Sequence, residues 1–102
     1  MKLKSGVRIL GIRPEIAFIM PAVQKVYDDH GTELVITSVT DGKHSRGSLH
    51  YAGAALDLRT RDTSRETAKR ITAALKKALG DDFDVVLERD HIHMEYQAKL
   101  PY

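Results

Sequence analysis

Residues 84–97 read DVVLERDHIHMEYQ, and this stretch decides the fold. Two runs that are typical of strands, 84–88 and 91–97, are separated by only two residues, so the sequence predicts two neighbouring strands joined by a tight turn. Side chains alternate between the two faces of a strand. The second run therefore carries a polar face, made by His91, His93 and Glu95, and an apolar face, made by Ile92, Met94 and Tyr96.

Two further strands are expected upstream of this pair. Residues 54–60 (AALDLRT) alternate in the same way, so their apolar side chains should face the core while Asp57 points out of the other side of the sheet. Residues 33–39 (ELVITSV) are rich in β-branched side chains, and the turn residues Asp41 and Gly42 follow them. Residues 7–10 (VRIL) predict either a short strand or an extended arm.

Two helices complete the predicted elements. Thr63, with Glu66 three residues later, has the spacing of a capping box, and an apolar stripe runs from there to Gly80. The other helix is predicted from Pro14 to Gly31, and Pro21 should kink or divide it because proline removes a backbone donor.

This order of elements predicts an α+β fold in which a small, largely antiparallel sheet packs with two main helices. A chain of 102 residues is long enough for one small domain, and we expect a single domain over residues 1–102. The chain has no cysteine, so disulfides and thiolate zinc sites are excluded as sources of stability. A metal held by histidine and carboxylate remains available to it.

Charge and hydropathy argue against several kinds of partner. The formal net charge is only +2, and the basic residues are scattered rather than interleaved with aromatic ones, which argues against a nucleic-acid-binding module. The longest apolar run, residues 17–23, is too short to cross a bilayer, and no apolar segment of signal-peptide length follows the basic start of the chain. We therefore expect a monomer that is made in the cytoplasm and has no membrane partner.

The polar face of residues 91–97 has the chemistry of half a metal site. Two neutral imidazoles, one carboxylate and an open position for water are a ligand set of hydrolytic zinc. His50 and Asp57 are seven residues apart, so they can converge only if the chain turns between them, and Gly53 is where such a bend would fall. Spacing alone does not distinguish this site from surface histidines and solubilising charges.

A longer pattern favours the metal site. The motif Ser48-x-His50-x-x-Gly53-x-Ala55-x-Asp57, followed by Asp90-x-x-His93-x-Glu95 within HIHMEY, resembles the zinc D-alanyl-D-alanine peptidase family and the related amino-terminal domain of hedgehog signalling proteins. The resemblance covers roughly residues 33–97 and implies a hedgehog/D,D-peptidase-like fold with zinc as the cofactor.

Carried over residue by residue, the resemblance implies that His50, Asp57 and His93 are the zinc ligands. His91 then becomes a partner near the metal that steadies the oxyanion. The carboxylate base falls on Asp90 if the peptidase spacing is followed, or on Glu88 if the hedgehog-like arrangement is the better guide. The sequence leaves these two alternatives open, because a base must reach its proton through a geometry that sequence does not show.

The resemblance also implies a substrate. Peptidases of this kind cleave peptide bonds in bacterial peptidoglycan stem peptides, as carboxypeptidases or endopeptidases, by attack of a zinc-bound water, and many are phage or bacterial lytic enzymes such as endolysins. Ser48 would then orient a ligand or a substrate group, and Arg46 or Arg59 would bind the substrate carboxylate. Such an enzyme would act on the cell wall after release from the cytoplasm or from a virion.

Two other functions stay open at this point. The first is a catalytically inactive domain of the same fold, in which zinc ties the strands together and stabilises a small cysteine-free chain for binding or for a structural role. The second and weaker one is a nucleic-acid-binding module, which predicts an affinity that falls steeply with salt.

Overall fold

A five-stranded mixed sheet forms the centre of the computed structural model, which describes residues 1–40 and 54–97. The strand order is β1-β2-β3-β5-β4, with one parallel pair, β1 with β2, and three antiparallel pairs. The strands are β1 (Lys2–Leu3), β2 (Val35–Ser38), β3 (Ala55–Arg59), β4 (Phe83–Leu87) and β5 (His91–Tyr96). The helices are α1 (Pro14–Phe18), α2 (Met20–Asp29) and α3 (Arg65–Leu79). The predicted α+β class with a largely antiparallel sheet is confirmed.

The core lies on one face of the sheet, where α2 and α3 cover the central strands. Leu56 and Leu58 of β3 are fully buried, and so are Ile92 and Met94 of β5. They form one cluster with apolar side chains of both helices, among them Val23 and Leu75. The alternation predicted for both strands is confirmed, since the residues between these apolar ones face the other side of the sheet.

The helix α3 begins one residue later than a capping box at Thr63 requires. Its N-cap is Ser64, whose hydroxyl oxygen accepts a hydrogen bond from the Thr67 backbone N–H at 3.1 Å. The predicted capping box of Thr63 with Glu66 is therefore wrong, because the N-cap is Ser64 and the amide that it caps belongs to Thr67 rather than to Glu66. Gly80, with φ of +81°, ends the helix as predicted, in a conformation that a side chain would strain.

The predicted division of the first helix is confirmed. Ile19 lies between α1 and α2 with φ of −86° and ψ of −4°, and Pro21 occupies the first turn of α2. Proline is tolerated there because the amide it lacks would have no partner within the helix. The ring therefore starts a second helix instead of interrupting one long one.

The amino-terminal segment differs from the expectation. Residues 7–10 form no strand, so the strand alternative for VRIL is wrong, and the strand that joins the sheet is Lys2–Leu3. A turn at Gly6, with φ of +88°, takes the chain away from the sheet edge after β1. The carbonyl of Arg8 then accepts hydrogen bonds from both the amide and the hydroxyl of Thr40. The predicted turn at Asp41 and Gly42 lies outside the described residues. No helix in the described ranges is long and apolar enough to span a bilayer.

Candidate metal centre

The face of β3 and β5 that is turned away from the core carries the polar side chains; we call it the site face. These strands pair antiparallel, with Asp57 opposite His93 and Arg59 opposite His91. Directly opposed residues point to the same side of a sheet. The register therefore gathers Asp57, His91 and His93 in one place, and it confirms that the two histidines project together.

Carboxylate oxygens hold both imidazoles in defined orientations. His93 has its Nδ1 at 3.0 Å from Asp57 Oδ1 and its Nε2 at 2.8 Å from Glu95 Oε1. His91 has its Nδ1 at 2.7 Å from Asp90 Oδ1, while its Nε2 lies 3.6 Å from Asp57 Oδ1, beyond hydrogen-bonding distance. Asp57 therefore lies near both histidines, and its side chain is only 15% exposed.

The three side chains are close enough to share one metal ion. Asp57, His91 and His93 each offer a ligand atom, and these atoms lie within 4.8 Å of one another. Two imidazole nitrogens and a carboxylate oxygen are donors that zinc accepts in catalytic sites, where water fills the remaining position. The residues present therefore fit a zinc ion, and the group can bind a metal.

The contacts between carboxylates and histidines also shift the pKa values of His93 and Asp90. The hydrogen bond that the Asp57 carboxylate accepts from His93 raises the pKa of His93 in spite of its partial burial, with Glu95 acting in the same direction. The hydrogen bond with His91 lowers the pKa of Asp90. Because a metal binds neutral imidazole, metal and proton compete for His93, and metal binding should release a proton.

Both candidates for the base lie beside His91. The Glu88 amide donates to the carbonyl of His91 at 2.8 Å, which pairs these residues across the hairpin and places Glu88 on the same side of the sheet. Asp90 lies in the connecting turn, with its carboxylate on His91. Arg65 fixes the turn from α3 by donating to the Glu88 carbonyl at 2.8 Å.

A cleft of about 300 Å³ opens next to the site; we call it the site cleft. Its described lining consists of Lys4, Thr37, Asp57, Arg59, Arg61, Asp90 and His91. Larger clefts of about 540 and 770 Å³ lie elsewhere, and none of the three metal-binding candidates lines them. Asp57 and His91, two of the side chains that can bind a metal, therefore lie at a cleft that is smaller than two others of the described residues.

The structure tests the predicted site residues unevenly. Arg59 lies at the site cleft, but Arg46, Ser48 and His50 fall outside the described residues, so their roles stay predictions. Sequence reasoning missed Lys4 and Arg61 as residues near the site. The alternation of 54–60, continued by one residue, would have suggested Arg61. No sequence signal brings Lys4 there, because β1 was not predicted.

The paired strands, the helices on one face and the histidine and carboxylate cluster on the other define a domain of the hedgehog/D,D-peptidase superfamily. The family model of the hedgehog amino-terminal signalling domain matches residues 15–95, and the chain belongs to this family. The family consists mainly of signalling domains and is distantly related to zinc peptidases. No solved structure matches the chain.

Proposed function

We propose that this protein is a zinc-dependent hydrolase that cleaves peptide bonds in bacterial peptidoglycan stem peptides. The observation that carries the proposal is the cluster of Asp57, His91 and His93, whose ligand atoms lie within 4.8 Å of one another on the paired strands β3 and β5. The motif that contains Asp57 and the motif that contains His93 supply the resemblance to zinc D-alanyl-D-alanine peptidases.

Asp57 and His93 are the two proposed zinc ligands that the resemblance and the cluster have in common. The resemblance adds His50 as the third, and the cluster adds His91. When bound, zinc supplies a water of lowered pKa and polarises the carbonyl of the scissile bond.

In the proposed reaction, Asp90 orients His91. The Asp90 carboxylate accepts from Nδ1 of His91, which leaves Nε2 turned towards Asp57. With Nε2 protonated, His91 can donate to the substrate oxygen as negative charge develops on it. With Nε2 unprotonated, the same atom is a metal ligand, and Asp90 is then the partner that fixes the ligand's tautomer.

The hydrogen bond between Asp90 and His91 favours Glu88 over Asp90 as the base. Asp90 has a lowered pKa and is occupied by His91, and both properties make it a poorer proton acceptor. Glu88 lies opposite His91 with an exposed side chain, at the edge of the same face. We propose that Glu88 takes the proton of the attacking water and that Asp90 acts through His91.

The test combines two measurements on the purified protein. Elemental analysis gives its metal content, and the release of free amino groups from purified peptidoglycan is followed with and without a chelator. We expect bound zinc and release that the chelator abolishes. Glu88→Gln should keep zinc and lose at least ~100-fold in rate, the scale of general base catalysis. Glu66→Gln, on an exposed turn of α3, is the matched control and should change neither.

Glu88 and Asp90 are separated by their kinetic signatures. Asp90→Asn should reduce the rate by ~10- to 100-fold, as removal of an orienting partner of a histidine near a metal does, and should alter zinc affinity if His91 is a ligand. A Glu88→Gln variant with full activity would exclude Glu88 as the base.

A zinc-stabilised domain without catalysis is the second candidate function, and the family favours it because its members are mainly signalling domains. This alternative predicts bound zinc and chelator-sensitive stability, with no release of amino groups from any wall type. Under it, Glu88→Gln would affect neither folding nor metal binding.

A further inference from the structure

Strand β4 forms one edge of the sheet, and β5 is its single neighbour among the described strands. We propose that this edge binds an extended, acidic segment of another protein, which joins the sheet as a further strand antiparallel to β4. This binding requires neither the metal centre nor the proposed hydrolysis.

The backbone of β4 presents hydrogen-bonding groups at the free edge. The Glu88 amide donates to the His91 carbonyl at 2.8 Å, and the Gln97 amide donates to the Asp82 carbonyl at 2.7 Å, so both ends of β4 are bonded to β5 in the same phase. In an antiparallel pair every second residue bonds to the same neighbour. The residues whose backbone groups point away from β5 are therefore Phe83, Val85 and Leu87.

Two amides of this edge are available as donors. The Phe83 amide donates to the Gly80 carbonyl at 3.3 Å, whereas residues 1–40 and 54–97 provide no partner for the amides of Val85 and Leu87. A row of unpaired backbone groups at a sheet edge is a template for the addition of a strand.

A groove runs along this edge between α3 and β4, from Leu87 at one end to Phe83 at the other; we call it the edge groove. It consists of two clefts, of about 270 and 770 Å³, whose linings share Lys76, Val85 and Val86. Val86 is 46% exposed and points to the site face, opposite His93. A peptide of about five extended residues, roughly 17 Å long, matches the length of β4.

The two ends of the edge groove differ in charge. The cleft at the Leu87 end is lined by Lys69 and Lys76 of α3 and by no acidic residue of the described chain. Neither ammonium group has an ion pair among the residues described. The cleft at the Phe83 end carries the carboxylates of Asp81, Asp84 and Glu95. A complementary strand therefore has its acidic side chains at the Leu87 end, which is its amino-terminal half in the more stable antiparallel pairing.

A second copy of this chain fits the edge less well. Two β4 strands that pair antiparallel about Val85 would place Asp84 of each copy opposite Val86 of the other, a carboxylate against an apolar side chain. Lys69 and Lys76 of both copies would also gather on one side of the joined sheet, where like charges repel. Edge charges of this kind disfavour self-pairing, and an acidic strand meets them with the opposite charge.

The test uses an acetylated and amidated peptide, Gly-Glu-Val-Glu-Thr-Val-Gly, and a matched peptide in which glutamine replaces both glutamates. In the antiparallel register the glutamates lie opposite Leu87 and Val85, on the side of the sheet that α3 covers. Titration of the isotope-labelled full chain, followed by NMR, gives both dissociation constants. We expect the acidic peptide to shift the amide signals of Val85 and Leu87 and, at low salt, to bind at least ~5-fold more tightly than the glutamine peptide, the scale of two exposed ion pairs.

The cations are tested with the double variant Lys69→Gln with Lys76→Gln, because both side chains are exposed and their replacement should leave the fold unchanged. The preference for the acidic peptide should fall to within about 2-fold. Arg70→Gln with Lys77→Gln removes the same number of charges from α3 outside the edge groove and should keep the preference.

The backbone contact is tested at Leu87. Leu87→Pro removes the amide that points to the free edge and leaves the hydrogen bonds with β5 intact, since proline is tolerated in an edge strand where the missing donor faces solvent. Leu87→Ala is the matched control, because it also shortens the side chain but keeps the amide. With both variants folded by circular dichroism, the proline variant should bind the acidic peptide at least ~10-fold more weakly than the alanine variant.

Four results would overturn the proposal. Unshifted amide signals of Val85 and Leu87 show that no strand is added at this edge. Equal binding of the two peptides, or a preference that survives the loss of Lys69 and Lys76, shows that these lysines do not select acidic side chains. Equal binding by Leu87→Pro and Leu87→Ala excludes pairing with the backbone of β4. A dimer of the chain alone in sedimentation, whose formation shifts the same amide signals, assigns the edge to a second copy.

Discussion

The two faces of the β3 and β5 pair share one backbone but differ in role: one face belongs to the core and the other carries the candidate metal centre. One face buries Leu56, Leu58, Ile92 and Met94 completely, and the other carries Asp57, His91 and His93 at partial exposure. Since alternate residues of a strand point to opposite sides, Asp57 and His93 each lie between two buried apolar residues, and His91 precedes the buried Ile92. The core therefore fixes the positions from which the site side chains project, and the two faces should respond differently to substitution.

The largest effect is expected on the core face. Leu58→Ala removes a fully buried side chain from the cluster under α2 and α3 and should lower the free energy of unfolding by about 2–5 kcal/mol, from lost burial and the cavity left behind. Urea denaturation measures this. Val86→Ala, at a half-exposed position of β4, is the control, and an equal loss there would contradict the assignment of the core face.

The second-largest effect on stability is expected on the site face, and it depends on bound zinc. At a free zinc concentration ~100-fold above the dissociation constant, zinc should stabilise the native protein by about 2.7 kcal/mol, because it binds the folded state. Asp57→Ala should abolish this increment, which thermal unfolding with zinc and with a chelator would reveal. Stabilisation of the variant equal to that of the parent protein would place the metal elsewhere.

The smallest effect separates stability from metal binding. Ser64→Ala removes the hydroxyl that caps α3 and should cost about 1 kcal/mol, while zinc affinity stays unchanged. Thr63→Ala is the matched control, since Thr63 is not the N-cap, and urea denaturation should show little change for it. If Thr63→Ala were the more costly of the two, the N-cap assignment would be wrong.

The parts of the fold that follow from local pattern were predictable. Alternation assigned the two faces of 54–60 and 91–97, and Gly80 marked the end of a helix. The N-cap was misassigned because Thr63 and Ser64 both have hydroxyls, and only the backbone conformation decides which one accepts from the helix. The strand at Lys2–Leu3 was missed because two residues carry no periodicity and are held by pairing with β2.

The site was predictable to the extent that it lies on one strand. His91 and His93 follow from spacing, whereas the approach of Asp57 depends on the register between β3 and β5, which the resemblance implied and spacing alone did not. The orientation of His91 by Asp90 and the presence of Lys4 at the site cleft are tertiary contacts. No pattern within a single segment of the sequence contains them.

The measurement that tests the central claim most directly is the zinc content of the dialysed protein beside that of His93→Ala. His93 contacts Asp57 and is a ligand in both proposed sets, so its replacement removes one donor from either set. We predict one zinc per chain in the parent protein and almost none in the variant, with both proteins folded by circular dichroism. Equal zinc in the two proteins, or no zinc in the parent after zinc is supplied, would contradict the account.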